Sequence, residues 1–309
     1  MRCVLGFDGG GTKTECVLMD ESGSILARSR SGPSNPTSKG VEAALASLLE
    51  AATAALRAGG RLETDVAYIL GGISGAGEGK MRSALQWGLE PRFPNASITI
   101  TSDLVLSLGA TGESPSVVVI AGTGSAVLGR KPPLELARAG GFGPVIGDPG
   151  SAYDIGRKAV TVCMQKHLNN EEFPLSAKIL GTFGWKFDDL FDRARLQPGT
   201  VFPGIYPVVA SAAETGDAAA RTLLTGAAQD LLEQAREVIE KLKLRDSSFF
   251  LAKTGGVFDG SPFLNAKFDA LIREIAANAR IGPLPRPVAE AAAQLARDAL
   301  TSTLKLEVS

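Results

Sequence analysis

The chain has one histidine, His167, and three cysteines, Cys3, Cys16 and Cys163, in 309 residues. A solitary histidine excludes Ser-His-Asp hydrolysis and multi-histidine metal chemistry. Lying in MQKHLNN, a polar helix end, it reads as a surface residue. The cysteines are odd in number and too widely spaced for a CxxC metal or redox motif, a pattern that suits a reducing cytoplasm. Net charge is −1, so neither nucleic acid nor an anionic membrane is expected as a partner. The apolar run Cys3 to Phe7 is cut short by Asp8 and glycines, which fits neither a signal peptide nor a membrane span, and no later run is long enough to cross a bilayer. Low-complexity segments and long charge runs are missing as well.

What is present is glycine, 36 residues of it, concentrated in two similar places. FDGGGTKTECVLMD (Phe7 to Asp20) and VVVIAGTGSAVLG (Val117 to Gly129) each place a Gly/Thr turn between two apolar runs. Such turns offer bare N–H groups and hydroxyls that can hold phosphate oxygens. Two copies suggest a duplicated fold that closes on a nucleotide, and the length suits two domains. Cys3 to Asp8, Glu15 to Asp20 and Ser24 to Arg30 read as a meander of strands, so the first glycine turn leads back into a strand. A Walker loop or a dinucleotide fingerprint would open a helix instead.

Val41 to Arg57 has helical periodicity. Asp65 to Leu70 reads as a strand, Glu78 to Trp87 as a helix, Ser97 to Thr101 as a strand, and Leu104 to Gly109 as the start of a helix. The turn cluster over Thr111 to Pro115 marks a domain boundary. Val117 to Ala121 and Ser125 to Arg130 open the second half as strands, before the glycine-rich stretch Gly140 to Arg157. Helices are expected over Ser151 to Leu168, Ala177 to Leu180, Asp188 to Arg195, Ile205 to Ala213 and Asp217 to Leu242. Ser247 to Ala252 reads as a strand, and Pro262 to Ala277 and Pro287 to Lys305 as helices separated by a rigid IGPLPRP linker. Phe249, Phe250, Leu231, Leu232, Val238, Ile239 and Leu242 read as core.

FDGGGTKT, the SD of Ser102–Asp103 before a helix, AGTGS at Ala121 to Ser125, GDPGSAYDIG through Gly156 and TGGVF at Thr254 to Phe258 occur in this order. With them, essentially the whole chain resembles the actin-like (acetate and sugar kinase, Hsc70, actin) superfamily. Within it the chain is similar to the BadF/BadG/BcrA/BcrD ATPase family and its N-acetylglucosamine kinase-like members. The resemblance implies an α/β fold of two actin-like (ribonuclease H-like) domains, each a mixed five-stranded sheet flanked by helices, with an interdomain cleft that closes on its ligands. Residues 1–112 would form the first domain and 113–309 the second, the helix at 287–305 being placed to pack back on the first. It further implies an ATP- and Mg²⁺-dependent kinase acting on an amino sugar, N-acetylglucosamine first, in a cytoplasmic homodimer.

By that resemblance Gly10, Gly11, Thr12 and Lys13, with Gly122, Thr123, Gly124 and Ser125, hold the ATP phosphates. Asp8 binds Mg²⁺, through water. Asp103 takes the proton of the attacking sugar hydroxyl, while Asn35, Asp103, Thr123, Gly141, Phe142, Gly143 and Asp148 face the sugar, and Gly255 and Gly256 lie against adenosine. Each has a plainer reading. The glycines could simply give a hairpin its positive φ, although three in a row exceed that need; Lys13 could be solvated. Asp103 could be a helix N-cap, Asn35 and Asp148 turn residues, and Gly255 and Gly256 a strand-to-helix turn. Phe142 and Pro149 stand where the family often has Trp and Glu, which bears on the acceptor. Glucosamine and N-acetylmuramic acid kinases stay open, as do the ATPase activators of 2-hydroxyacyl-CoA dehydratases and benzoyl-CoA reductase; a sugar sensor would need a DNA-binding appendage.

Overall fold

The computed structural model describes residues 2–77, 79–133 and 135–301. They divide into two units, one made of the chain up to Gly112 together with the segment from Leu284, the other of Glu113–Pro283.

The first unit opens with an antiparallel meander, β1 (Cys3–Gly9), β2 (Thr14–Asp20) and β3 (Ile25–Ser31). A four-residue α1 (Pro36–Lys39), α2 (Val41–Gly59), β4 (Val66–Ile73), α3 (Gly79–Leu89), β5 (Ser97–Thr101) and α4 (Asp103–Ala110) follow. The start of the helix expected from Glu78 lies outside the described residues. The sheet order is β3-β2-β1-β4-β5, with β4 parallel to both β1 and β5. Parallel strands present their C-terminal ends at one edge, and the register sets Asp8 level with Gly72 and Gly72 level with Thr101. The chain therefore delivers Asp8, the turn after Ile73 and the Ser102–Asp103 pair to the same edge.

The second unit repeats the plan. β6 (Ser116–Ala121), β7 (Ser125–Lys131) and β8 (Glu135–Gly140) form its meander. Five helices come next: α5 (Ala152–Leu168), α6 (Pro174–Phe183), α7 (Phe187–Leu196), α8 (Pro198–Glu214) and α9 (Ala218–Lys241). β9 (Phe249–Thr254), α10 (Gly256–Gly260), α11 (Pro262–Ile275) and β10 (Ala279–Pro283) complete it. The order β8-β7-β6-β9-β10, with β9 parallel to β6 and to β10, matches the first sheet strand for strand. Each unit is thus a mixed five-stranded sheet flanked by helices, as the sequence predicts.

Some elements differ from the sequence reading. The IGPLPRP stretch is not wholly a linker, because Ala279–Pro283 pairs with β9. As an edge strand β10 tolerates the proline that made it look like a connection. α8 begins at Pro198, ahead of the expected Ile205, and carries Pro203 and Pro207 within it.

After β10 the chain returns to the first unit as α12 (Val288–Thr301); residues 302–305 of the expected helix lie outside the described part. β1 is apolar on both faces because it is buried on both. Leu5 and Phe7 pack with Leu48, Ala52 and Leu56 of α2, while Val4 packs with Ala289, Ala292, Ala293 and Ala296 of α12. A Cβ on Gly6 would lie 2.2 Å from the backbone nitrogen of Ala293, so glycine and the alanine face let strand and helix approach closely. No described helix is long and apolar enough to cross a membrane.

Candidate active site

In the first unit the glycine turn joins β1 to β2 and is closed by Gly10 N–H donating to Lys13 O at 2.9 Å. Neighbouring loops are tied to it: Ser34 N–H donates to Gly10 O (3.0 Å) and Ser74 N–H to Gly9 O (2.7 Å). Buried Thr14 adds its hydroxyl, 2.7 Å from Gly32 O and 2.8 Å from Ser34 Oγ. The loop carrying Asn35 is therefore fixed to the hairpin. Asn35 is more than a turn residue: its Oδ1 accepts from Thr37 N–H and Ser38 N–H, capping α1, with Pro36 in the first turn. Its Nδ2 faces Ser74 Oγ at 3.4 Å.

Asp8 closes the apolar part of β1 and is partly buried. Its carboxyl is pushed up to about 7, first by burial and then by the charges of Asp103 and Glu15, with Lys13 opposing. Lys13 itself pairs with Glu15 at 2.7 Å, and Arg30 reaches the same carboxylate oxygen at 2.6 Å. Burial would raise Glu15, but the hydrogen bonds from Lys13 and Arg30 prevail and hold it below the usual carboxylate range. Asp103 is not the cap of α4. That role belongs to Ser102, whose Oγ accepts from Val105 N–H at 3.3 Å, and Asp103 follows it as the first helical residue. Asp103 still serves the helix start, because its Oδ1 accepts from Leu104 N–H at 2.9 Å.

In the second unit the turn between β6 and β7 is closed by Gly122 N–H donating to Gly124 O. The first amides of α5 donate to this turn, Ala152 N–H to Gly122 O at 2.9 Å and Tyr153 N–H to Thr123 O at 3.3 Å. Orphan helix donors and hairpin carbonyls thus satisfy each other, so α5 sets the hairpin's position.

Asp148, 7% exposed, folds back on the same turn. Its Oδ1 accepts from Gly143 N–H at 3.1 Å, and a Cβ on Gly124 would lie 2.4 Å from its Oδ2. Burial raises its pKa, against the N–H groups of Gly143, Ser125 and Phe142 and the charge of Arg138. Asp148 therefore staples the glycine-rich loop to the hairpin, and Gly141, Phe142 and Gly143 belong to that loop. The Phe142 side chain is exposed, with the Arg138 guanidinium 6.0 Å from the ring centre. Gly255 has φ +108°, and a Cβ there would meet Ala121 O at 2.4 Å, which brings the Gly255–Gly256 turn directly against the entrance to this hairpin.

Positive φ does not explain the paired turns. Gly10, Gly122 and Gly124 all lie outside the left-handed region; a Cβ would find nothing closer than 3.8 Å at Gly10 and nothing within 4 Å at Gly122. Internal packing does not ask for glycine at those two positions either.

Comparison with known proteins bears on the family and the fold. The model of the BadF/BadG/BcrA/BcrD ATPase family matches residues 5–293. The N-acetyl-D-glucosamine kinase of Dictyostelium discoideum is 31% identical over 293 residues, 90% of this chain and 92% of that protein. The N-acetylmuramic acid/N-acetylglucosamine kinase of Clostridium acetobutylicum is 29% identical over 273 residues, 87% of this chain and 89% of that protein. Among solved structures, a candidate N-acetylglucosamine kinase of Chromobacterium violaceum shares the fold, with a TM-score of 0.77 at 24% identity over 96% of this chain and 99% of its own. The chain belongs to the BadF/BadG/BcrA/BcrD ATPase family.

Proposed function

We propose that the protein transfers the γ-phosphoryl group of ATP to a hydroxyl of an amino sugar, N-acetylglucosamine first. The observation that carries this reading is the glycine at Gly10 and Gly122, bare for no reason internal to the chain, in a family whose curated relatives include two N-acetylglucosamine kinases. Backbone left open at a turn lets phosphate oxygens reach N–H groups without a side chain between them. Gly10, Gly11 and Thr12 would hold phosphate, as would Gly122, Thr123, Gly124 and Ser125. Gly255 and Gly256 would lie against adenosine, while Asn35, Asp103, Thr123 and the Gly141–Gly143 backbone would face the acceptor. Asp148, already engaged within its loop, would hold that loop in shape beside the sugar. Lys13 would stay with Glu15 or turn to phosphate.

The donor set fits a divalent cation. Asp8 is a partly buried carboxylate raised first by burial and then by the negative charges of Asp103 and Glu15, a setting that a hard cation with oxygen ligands relieves. Asp8 would hold Mg²⁺, which when bound neutralises phosphate charge. Asp103, as general base, would accept the hydroxyl proton as the acceptor attacks; transfer through a loose transition state asks chiefly for positioning, so Asp103 needs no raised pKa.

The activator reading requires thiolates that can hold an iron–sulfur cluster. Here Cys3 and Cys16 are buried in β1 and β2 and Cys163 in α5, and burial raises all three thiols, Cys3 to about 11. Buried free thiols also suit the cytoplasm proposed as its location. A homodimer is proposed from the family resemblance, and light scattering on the purified protein checks it.

The decisive measurement is ADP release with glucosamine, N-acetylglucosamine and N-acetylmuramic acid as acceptors. N-acetylglucosamine should stimulate most; stimulation by none, with ATP binding retained, overturns the proposal. A second expectation isolates the glycine argument. Gly122→Ala should fold with stability equal to or above that of the parent, because the site is open and the unfolded chain loses freedom. Its KM for ATP should nevertheless rise about tenfold or more, and an unchanged KM would show that the bare turn does not face nucleotide.

A further inference from the structure

Gln234 interrupts an apolar stripe. On α9 the buried positions run Ala227, Leu231, Gln234, Ala235 and Val238, and Gln234 is only 7% exposed. A buried amide is costly unless it is hydrogen-bonded. Its Nε2 donates to Pro149 O at 2.9 Å and to Ser125 Oγ at 3.3 Å, and Ser125 Oγ itself donates to Pro149 O at 2.8 Å. Turning the amide over would set Oε1 against the Pro149 carbonyl oxygen, so the network fixes its orientation.

The other end of the amide is equally constrained. A Cβ on Gly140, where φ is +68°, would lie 2.0 Å from Gln234 Oε1, and Oε1 is buried without a hydrogen-bond partner. Gly141 N–H donates to Ser125 O at 2.9 Å. One side chain on one helix therefore meets three segments: the exit of the second glycine turn at Ser125, the entrance of the glycine-rich loop at Gly140, and its exit at Pro149. α9 adds a second grip on the loop, since a Cβ on Gly150 would lie 2.6 Å from Leu231 Cγ.

We infer that Gln234 is a positioning residue that holds the Gly140–Gly150 loop in register with the Gly122–Ser125 turn, and so sets the acceptor against the phosphate. The inference rests on the function proposed above. It distinguishes two ways of losing a buried hydrogen bond. General weakening of the fold lowers the fraction of active enzyme and leaves both KM values alone. A loop released from its register loses acceptor binding selectively.

The test is steady-state kinetics of Gln234→Met, which removes the donor at nearly constant volume, beside Ser125→Ala, which removes the same junction from the hairpin side. In Gln234→Met the KM of the best acceptor should rise about tenfold while the KM of ATP changes less than about twofold. Combining the two substitutions should cost less than the product of the single effects, because both open one network. Equal KM values in a folded Gln234→Met, or fully multiplicative effects, overturn the inference. If Gln234→Met does not fold, Gln234→Leu is held to the same criterion on acceptor KM. If wild type responds to no acceptor, the proposed function fails first, and hydrogen exchange then decides separately. ADP should slow exchange over residues 140–150 in wild type and not in Gln234→Met, and equal slowing in both counts against Gln234.

Discussion

Asp103→Asn should lower acceptor-dependent ADP release by about 10²- to 10⁴-fold, the range that a positioned general base supplies. ATP should still bind, because the hairpins proposed to hold its phosphates are untouched. The fold should be little affected as well. Asp103 complements the helix dipole and accepts from Leu104 N–H at 2.9 Å, but the N-cap is Ser102, and the amide oxygen of asparagine can keep the Leu104 hydrogen bond. Asp103 also places negative charge beside Asp8, adding to the burial that is the main cause of its raised carboxyl. A fold that keeps two carboxylates together at a partly buried sheet edge bears an electrostatic cost, and the proposed phosphoryl transfer would give both a use, one as base and one as cation ligand. Near wild-type turnover in a folded Asp103→Asn would remove the residue from the chemistry. A parallel fall in Tm of several degrees would return it to a structural role.

The sequence made this edge legible for a local reason. Apolar run, Gly/Thr turn, apolar run is a strand-turn-strand pattern readable within a dozen residues, and it recurs intact at Phe7 to Asp20 and Val117 to Gly129. The parallel pairing of β4 with β1 and β5 then follows from ordinary crossover connections. Less visible were elements whose identity depends on distant partners. β8 and β10 are edge strands, one with alternating exposed positions and one ending in proline, and only their pairing to β7 and β9 makes them strands. From sequence α8 reads as starting at Ile205, after Pro203, which looks like a break until packing with α5 is known.

Site residues divide along the same line. Asn35 and Asp148 attract notice as polar residues in loops, yet nothing local shows that one caps α1 or that the other closes against Gly124. Gln234 was passed over because its neighbours Leu231, Leu232, Val238 and Ile239 form so regular an apolar stripe. The available signal was the irregularity itself, an amide at a stripe position of a long helix, where burial demands partners.

The pH dependence of stability should report on Asp8 directly. Its carboxyl titrates near 7 in the folded chain against an ordinary value of 3.8. A raised acid favours the folded state fully only below the unfolded value, and that contribution is lost as pH rises through the folded one. Stability should therefore fall between about pH 4 and pH 7 on account of this group, and level off above. Asp8→Asn removes the ionisation while keeping shape, so it should be more stable than the parent at pH 8 and gain progressively less toward pH 4. A shift of this size has a ceiling of about 4 kcal/mol at 1.36 kcal/mol per unit; water reaching the partly exposed carboxyl reduces it, and about 2 kcal/mol is expected. Urea titrations of both proteins at pH 5, 6.5 and 8 in chelator measure the gap. A gap that does not widen with pH would mean that Asp8 ionises normally in the fold. Repeating the pH 8 titration with Mg²⁺ completes the argument: the cation should stabilise the parent by mass action and leave Asp8→Asn unchanged, while the substituted enzyme, though sturdier, loses turnover. Stability and activity would then move in opposite directions on one atom's change, as expected when a charge is kept at a folding cost because a ligand needs it.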